Sequence, residues 1–578
     1  ALTTGANNTA VGQNALLYAT TAARNTAIGA ASLDASSNAG DDNTAVGYNT
    51  LTANTTGTDN IAVGSYCMGS NTTGASNTGL GYNTLYANTT ASNNTGLGYN
   101  ALAGNTTGTS NTAVGAYALD ANTTTSYNTA VGRGALSAST SDANTAVGQD
   151  ALAALTTGAN NTAVGKSALD TTTTGQQNTG LGAYTLDANT TGSYNTALGY
   201  AALDANTTAD NNTAIGHGSL GANTTGARNT AVGLSALIAN TTASSNTALG
   251  GLALQANTTG SVNTAVGDAT LYTNTTGSNN VACGQGALYA NTTANNNTGI
   301  GYSALTANTT GTFNVAVGAF ALDDNSDGQQ NTGVGYNALS ANTTGGSVTA
   351  FGSLALDANT TANYNTAIGA SALSAITTGV ESVAVGSSAL VSATGSSNVA
   401  LGHKAGENVT TGTNNVLLGK ETGRTGAPGG NITTGDNSVC IGNANIASAN
   451  IQVDWTIASD KRDKTDVSPL DLGLDFINQL EPVTYRWDKR SKYSDDQSVT
   501  PDGTHKEEQL EGGFLAQDVE VIENQYGYKT DDKTNLITKL SEDGEMYGIT
   551  YSKLVPMLTK AIQELSAKVE DLENNNKE

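Results

Sequence analysis

The feature that most constrains this chain is a short phrase, Asn-Thr-Ala-Val-Gly or a near variant, that occurs twenty-six times between Asn8 and Gly442, nearly always seventeen residues apart. It begins at Asn8, recurs at Asn25, Asn43, Asn60, Asn77 and Asn94, and still holds at Asn365 to Gly369. A fixed short period means that each copy is one unit stacked on the next, which is the signature of a solenoid. Number the positions from the Asn. The second and fourth are β-branched or aliphatic, as in Thr9 and Val11 or Val315 and Val317, and this period of two predicts a short strand whose second and fourth side chains face inward. Leu at the ninth position (Leu16, Leu33, Leu51, Leu85) supplies a second apolar anchor, so two short strands are expected per turn.

The fifth position is Gly in all twenty-six copies, which demands either a positive φ or an approach too close for a Cβ. The third is Ala or Gly except at Leu417 and Cys440. A face restricted to such small residues predicts another backbone lying against it, an intersubunit seam. The remainder, Asn54-Thr55-Thr56-Gly57 and its copies, is turn chemistry, and its amides can stack into ladders from coil to coil.

The pattern stops after Gly442, and composition changes with it. Residues 1–458 hold 7 Lys/Arg and 21 Asp/Glu, while the last 120 residues hold 15 and 26. The expected organisation is a repetitive shaft over residues 1–445, a neck strand over 446–458, and a mixed module over 459–578 that ends in a coiled-coil helix at 552–575. In that tail Val555, Leu558, Ile562, Leu565, Val569 and Leu572 alternate three and four apart, the seam of a coiled coil. A net charge of −25 argues against nucleic acid as a partner, since phosphate binding needs a basic surface. No run of about 18 apolar residues predicts a membrane span. Cys67, Cys283 and Cys440 show no disulfide or zinc spacing and are expected to be buried small hydrophobes. No cofactor and no resident metal are expected. The chain starts at Ala1 inside a repeat without an initiator Met, which suggests a fragment or a processed product.

Ser382-Val383-Ala384-Val385-Gly386 and Asn398-Val399-Ala400-Leu401-Gly402 make the shaft resemble the head repeats of trimeric autotransporter adhesins, although the period here is longer. That resemblance implies a trimeric parallel β-roll. Four further motifs follow in order: Ser459-Asp460-x-Arg462-x-Lys464; Gly473-Leu474-x-x-Ile477-x-x-Leu480-x-Pro482-Val483-x-Tyr485-x-Trp487; Gly513-Phe514-Leu515-Ala516-Gln517; and Tyr551-x-x-Leu554-x-Pro556-x-Leu558. Together they resemble the C-terminal intramolecular chaperone of phage endosialidases and tail spikes, a self-cleaving serine peptidase family. The resemblance implies a module that assembles three chains, sets the shaft in register and cuts itself off. Ser459 would be the nucleophile, Lys464 its general base, and the Ser459–Asp460 bond the one cut.

Such a device answers a need of the shaft, because near-identical repeats can pair seventeen residues out of register with little loss. The overall expectation is a mainly β, homotrimeric β-roll or β-solenoid fibre with a C-terminal α+β chaperone domain. It would belong to a virion tail or an extracellular appendage and meet a host-surface receptor, with glycan among the candidates. A polysaccharide-degrading tail spike and a Thr-array ice-binding protein are the alternatives. Two surface features stay open. Asp170, Asp187 and Asp204 share the tenth position and would either hold a divalent cation or stand solvated. Tyr48, Tyr82, Tyr99, Tyr200, Tyr302 and Tyr336 follow the corner Gly and would either bind glycan or simply cover the rod.

Overall fold

The computed structural model describes residues 4–446, 448–452, 455–494, 498–541 and 543–577. The chain divides into two compact units, residues 1–330 and 331–578. The first is a parallel β-solenoid of seventeen-residue coils whose strands run from β1 (Thr9–Val11) to β19 (Val315–Val317). Each strand pairs in parallel with its successor at the same repeat position, as in Thr44↔Ile61 and Ala45↔Ala62. The second unit carries β20 (Thr332–Val334) to β26 (Val439–Ile441) in the same arrangement, followed by an α+β region.

The strand is turned over relative to the reading of its period. The third position faces the interior: Ala45, Ala62 and Ala113 are fully buried, whereas fourth-position Leu80 and Phe351 are 46% and 57% exposed. Alternation says only that neighbouring side chains part company, and available volume decides which set goes inside. The interior is already filled by ninth-position Leu and by two rows of Asn, so it admits a methyl group and little more. Where the third residue is Gly96, a Cβ would run into Thr84 Cγ2, a bulkier residue than the usual Ala of the eighth position. The Ala/Gly row is therefore the core of a single coil and not a seam between chains. Cys283 follows the same inversion: at a fourth position it is exposed, while Cys67 and Cys440 are buried. Burial pushes the Cys67 thiol up to about 12.

The second strand expected in each coil is a run of turns. Asn49 and Leu51 both adopt positive φ, 50° and 51°, and the same two positions do so along the solenoid. A left-handed Leu costs about 1–2 kcal/mol. Complete burial of the Leu51 side chain offsets this, as does the bond that its N–H donates to Cys67 O in the next coil at 3.1 Å. The sequence signal for Leu reported burial, and burial does not specify backbone conformation. Both reasons offered for the corner Gly hold at once: Gly64 has φ +132°, and a Cβ there would collide with the carbonyl of Gly81.

Two buried Asn ladders close the coils. At the first position, Asn60 N–H donates to Asn43 Oδ1 at 3.0 Å, and Asn43 Nδ2 donates to Gly57 O at 2.9 Å, tying the two ends of one coil together. At the twelfth, Asn71 Nδ2 donates to Asn54 Oδ1 at 2.9 Å and to Gly74 O at 3.0 Å. These bonds satisfy backbone groups that a coil this narrow would otherwise leave buried and unpaired.

In the last coils of the second unit the packing changes register. Position nine loses its Leu at Gly406 and Gly423, and Leu417, projecting inward from position three, lies against both glycines. The C-terminal region then forms α1 (Leu474–Ile477), β27 (Val483–Tyr485), β28 (Glu511–Gly513), α2 (Ala516–Gln525), β29 (Thr538–Leu540), β30 (Tyr547–Ile549) and α3 (Leu554–Asn575). β27 pairs antiparallel with β28, and β29 with β30. Leu472, Phe476, Leu480, Val519, Ile537, Leu554 and Met557 make its core. Pro556 sits in the first turn of α3, where its missing N–H has no intrahelical partner to lose. Residues 446, 448–452 and 455–458, the described part of the expected neck strand, form no strand; Ala447, Val453 and Asp454 lie outside the described residues. A strand exists only through a neighbour, and here Ile451, Trp455 and Ile457 are exposed with none.

Candidate functional site

The segment after the neck folds back on itself. Asp460 caps a short 3-10 turn, Lys461–Asp463, by accepting from Arg462 N–H at 2.9 Å, and Lys464 N–H bonds to Lys461 O. This reversal carries Lys464 back over Ser459, and Lys464 Nζ donates to Ser459 Oγ at 2.6 Å. Arg462 turns away from the pair, with Nη2 2.6 Å from Asp460 Oδ2, and this guanidinium holds the Asp460 carboxyl below its ordinary value. Of the three residues singled out from the sequence, Ser459 and Lys464 are thus in contact, and Asp460 serves as the cap that shapes the turn.

All of residues 459–464 are exposed. An amine takes a proton from a serine hydroxyl only when neutral, and burial or nearby positive charge favours that form. The geometry therefore places a serine hydroxyl and a lysine amine at hydrogen-bond distance on an open surface.

The other three motifs meet in one core. Leu474 N–H donates to Glu564 Oε2 of α3 at 2.7 Å, which ties the start of α1 to the terminal helix; Gly473 lets that carboxylate approach closely, since a Cβ there would push it aside. Phe514 N–H donates to Tyr551 Oη at 3.1 Å, joining the third motif to the fourth. Tyr485 and Trp487 pack edge to face, 5.4 Å between centroids.

Sequence reasoning missed Glu523. It is completely buried and accepts from the N–H groups of Leu536, Ile537 and Thr538 at 2.9, 2.7 and 2.9 Å, and from the Thr538 hydroxyl. Its polarity placed it on the surface in any pattern analysis, and no periodicity marks it. Also unforeseen is the use of the longer final coil. Asn431 N–H donates to Asp543 Oδ2 at 2.8 Å, so the insertion after Gly423 rests on the β29–β30 connection.

Residues 459–528 match the chaperone of endosialidase family. No curated protein matches the chain. The match starts at Ser459 and ends before the Tyr551 motif, which the structure packs into the same core. The chain therefore carries an endosialidase-type chaperone domain that follows, in sequence, a long β-solenoid.

Proposed function

We propose that this chain is one subunit of a homotrimeric fibre, a phage tail fibre or related surface appendage, whose C-terminal domain assembles three copies, fixes their register and then cuts itself off beside Ser459. The observation that carries the reading is α3. Val555, Leu558, Ile562, Leu565, Val569 and Leu572, the whole heptad seam, lie open to solvent in the single chain. An amphipathic 22-residue helix that buries only its start needs partner helices along the rest. A hollow of about 200 Å³ beside it, lined by Ile477, Leu480, Pro482, Phe514, Leu554 and Leu558, continues the apolar surface.

On the solenoid, the face available to neighbouring copies is the outward row of second and fourth positions, with Leu97, Leu181, Leu198 and Ile300 exposed along it. Parallel rows of such residues on three chains would bury one another, and a clamp at the C-terminal end would select the unshifted pairing. Enclosure of the Ser459–Lys464 pair by neighbouring subunits would favour the neutral amine, so cleavage would follow assembly. Hydrolysis would consume one water and leave a carboxylate on Ser459 and an amine on Asp460. The solenoid's distal part would then meet the host receptor. The thirteenth-position threonines give the ice-binding alternative less to work with, since hydroxyls such as those of Thr55 and Thr72 are engaged by carbonyls of the next coil at 2.9 and 3.0 Å.

Intact mass under native and denaturing conditions, for the wild type and Ser459→Ala, tests this. A native trimer in both, with chains split beside Ser459 only in the wild type, is the expected result. A native monomer overturns the fibre, and a fragment pattern unchanged by Ser459→Ala overturns the assigned nucleophile.

A further inference from the structure

Most positions of the coil are repeated with little freedom, because each is fixed by the interior, a corner or a ladder. The sixth and seventh positions, just outside the corner Gly, are different. Their composition changes in blocks along the first unit. From the coil of Asn43 to that of Asn111 each contributes one tyrosine at one of the two positions, and the next three contribute Arg133, Asp150 and Lys166 instead. Nothing in the backbone requires aromatic rings here, since charged residues occupy the same row with the same fold.

The five rings, Tyr48, Tyr66, Tyr82, Tyr99 and Tyr117, form one continuous ladder. Successive centroids are 5.5, 5.8, 5.4 and 5.3 Å apart. Stacked coils set this pitch, and four steps span roughly 19 Å at the ordinary spacing between strands. Tyr48, Tyr82, Tyr99 and Tyr117 each keep between 43% and 50% of their surface open, so the ladder is half covered by its own neighbours and half free. Carboxamides occupy the position next to three of the rings (Asn49, Asn83 and Asn100), and Asn83 Nδ2 donates to Asn100 Oδ1 at 3.0 Å. Neither position holds an ionised side chain in any of these five coils, although the chain carries a net charge of −25. The Arg133–Asp150 ion pair, 2.8 Å, marks where the uncharged strip ends.

We infer that this strip is a binding site for an extended neutral polysaccharide. Each ring-to-ring step is close to the length of one glycosyl unit, so successive sugars can meet successive rings. The C–H faces of pyranoses suit phenol rings, which are apolar in body and polar at the tip, and sugar hydroxyls suit the carboxamides at the adjacent position. An anionic glycan would meet a strip that offers it no cation on an acidic protein, and a cationic one no carboxylate. The inference deepens the receptor part of the proposed function and rests on it for biological meaning, but the binding itself depends on neither cleavage nor trimer number.

The test is affinity electrophoresis of the full-length Ser459→Ala chain through gels containing dextran, mannan, hydroxyethyl cellulose or, as the charged probe, polysialic acid. The variant pair Tyr82→Ala/Tyr99→Ala is run beside Tyr272→Ala/Tyr289→Ala, which removes a stacked pair at the tenth position elsewhere on the solenoid. Retardation by at least one neutral polymer, weakened at least tenfold in apparent affinity by the first pair and unchanged by the second, is expected. Circular dichroism melts matching the parent show that the ladder variant remains folded. Retardation by polysialic acid alone, no retardation by any neutral polymer, or equal binding by both variant pairs overturns the inference. Native mass measured on the same samples reports the fibre reading separately, so the failure of one is distinguishable from the failure of the other.

Discussion

Asn94→Ala isolates what a single rung of the first-position ladder contributes. Asn94 is fully buried. Its Oδ1 accepts from Asn111 N–H at 2.9 Å, and its Nδ2 donates to Gly108 O at 2.9 Å. Removing the amide has unequal effects on the two partners. Gly108 O keeps the donor Asn105 Nδ2, also at 2.9 Å, but Asn111 N–H loses the partner that the side chain provides inside a coil with no room for water. An orphaned buried donor costs about 1–3 kcal/mol, and the lost bond to a carbonyl that remains paired adds about 0.5–1.5 kcal/mol. The sum is about 3 kcal/mol, or about a hundredfold in the local opening equilibrium. Amide hydrogen exchange resolved by residue is the appropriate assay, because a repeat solenoid need not unfold in one global step. Protection at Asn111 should collapse and that of adjacent amides from Thr95 to Val114 should fall about a hundredfold. Thr107→Ala, on an exposed side chain of the same coil, should change protection by less than about 0.5 kcal/mol. Equal losses in the two variants, or an Asn111 amide as protected as before, would refute the ladder argument.

Two further perturbations concern carboxylates, one partly and one completely buried. Burial, with Asp324 adding repulsion, raises the Asp323 carboxyl to about 6, and its Oδ1 has no hydrogen-bond partner. A raised carboxyl binds its proton more tightly in the folded state, so its penalty is complete above pH 6 and disappears as pH falls toward 4. Asp323→Asn should therefore stabilise its coil at pH 7 by about 1 kcal/mol after allowance for partial exposure, and by nothing near pH 4. Hydrogen exchange of the two proteins at both pH values checks this, and a difference independent of pH contradicts it. In the chaperone domain, Glu523→Ala strips three backbone N–H groups of their acceptor and should cost about 3–5 kcal/mol, seen as a lower urea midpoint by Trp487 fluorescence. A midpoint unchanged within error would mean that the loop 536–538 finds other acceptors.

The motif named Ser459 and Lys464 from the sequence, and the fold brings their side chains to 2.6 Å, which establishes their proximity and not their chemistry. The motif put Asp460 at the bond to be cut and did not contain the way Asp460 and Arg462 pair with each other. A carboxylate two residues before a guanidinium can cap a turn, pair across it or point to solvent, and only the folded backbone shows that it does the first two together. Glu523 and the Asn431–Asp543 contact were illegible for another reason. Each joins residues far apart along the chain, and nothing local in the sequence records the partner.

By itself the sequence determined the period, the parallel stacking that the period enforces, the corner at every fifth-position Gly, the Asn rows and the change to a different module after Gly442. These follow from repetition, because identical neighbours must make identical contacts. The tertiary structure decided which side of the strand is inside. An alternating Thr-Ala-Val is compatible with either orientation, and the choice falls to volume: once Leu51 and its counterparts and two files of Asn occupy the coil, Ala45 fits and Val46 does not. That one steric choice turned the Ala row from a seam into a core and left the β-branched row, with the tyrosine ladder beyond the corner, as the surface that the solenoid presents.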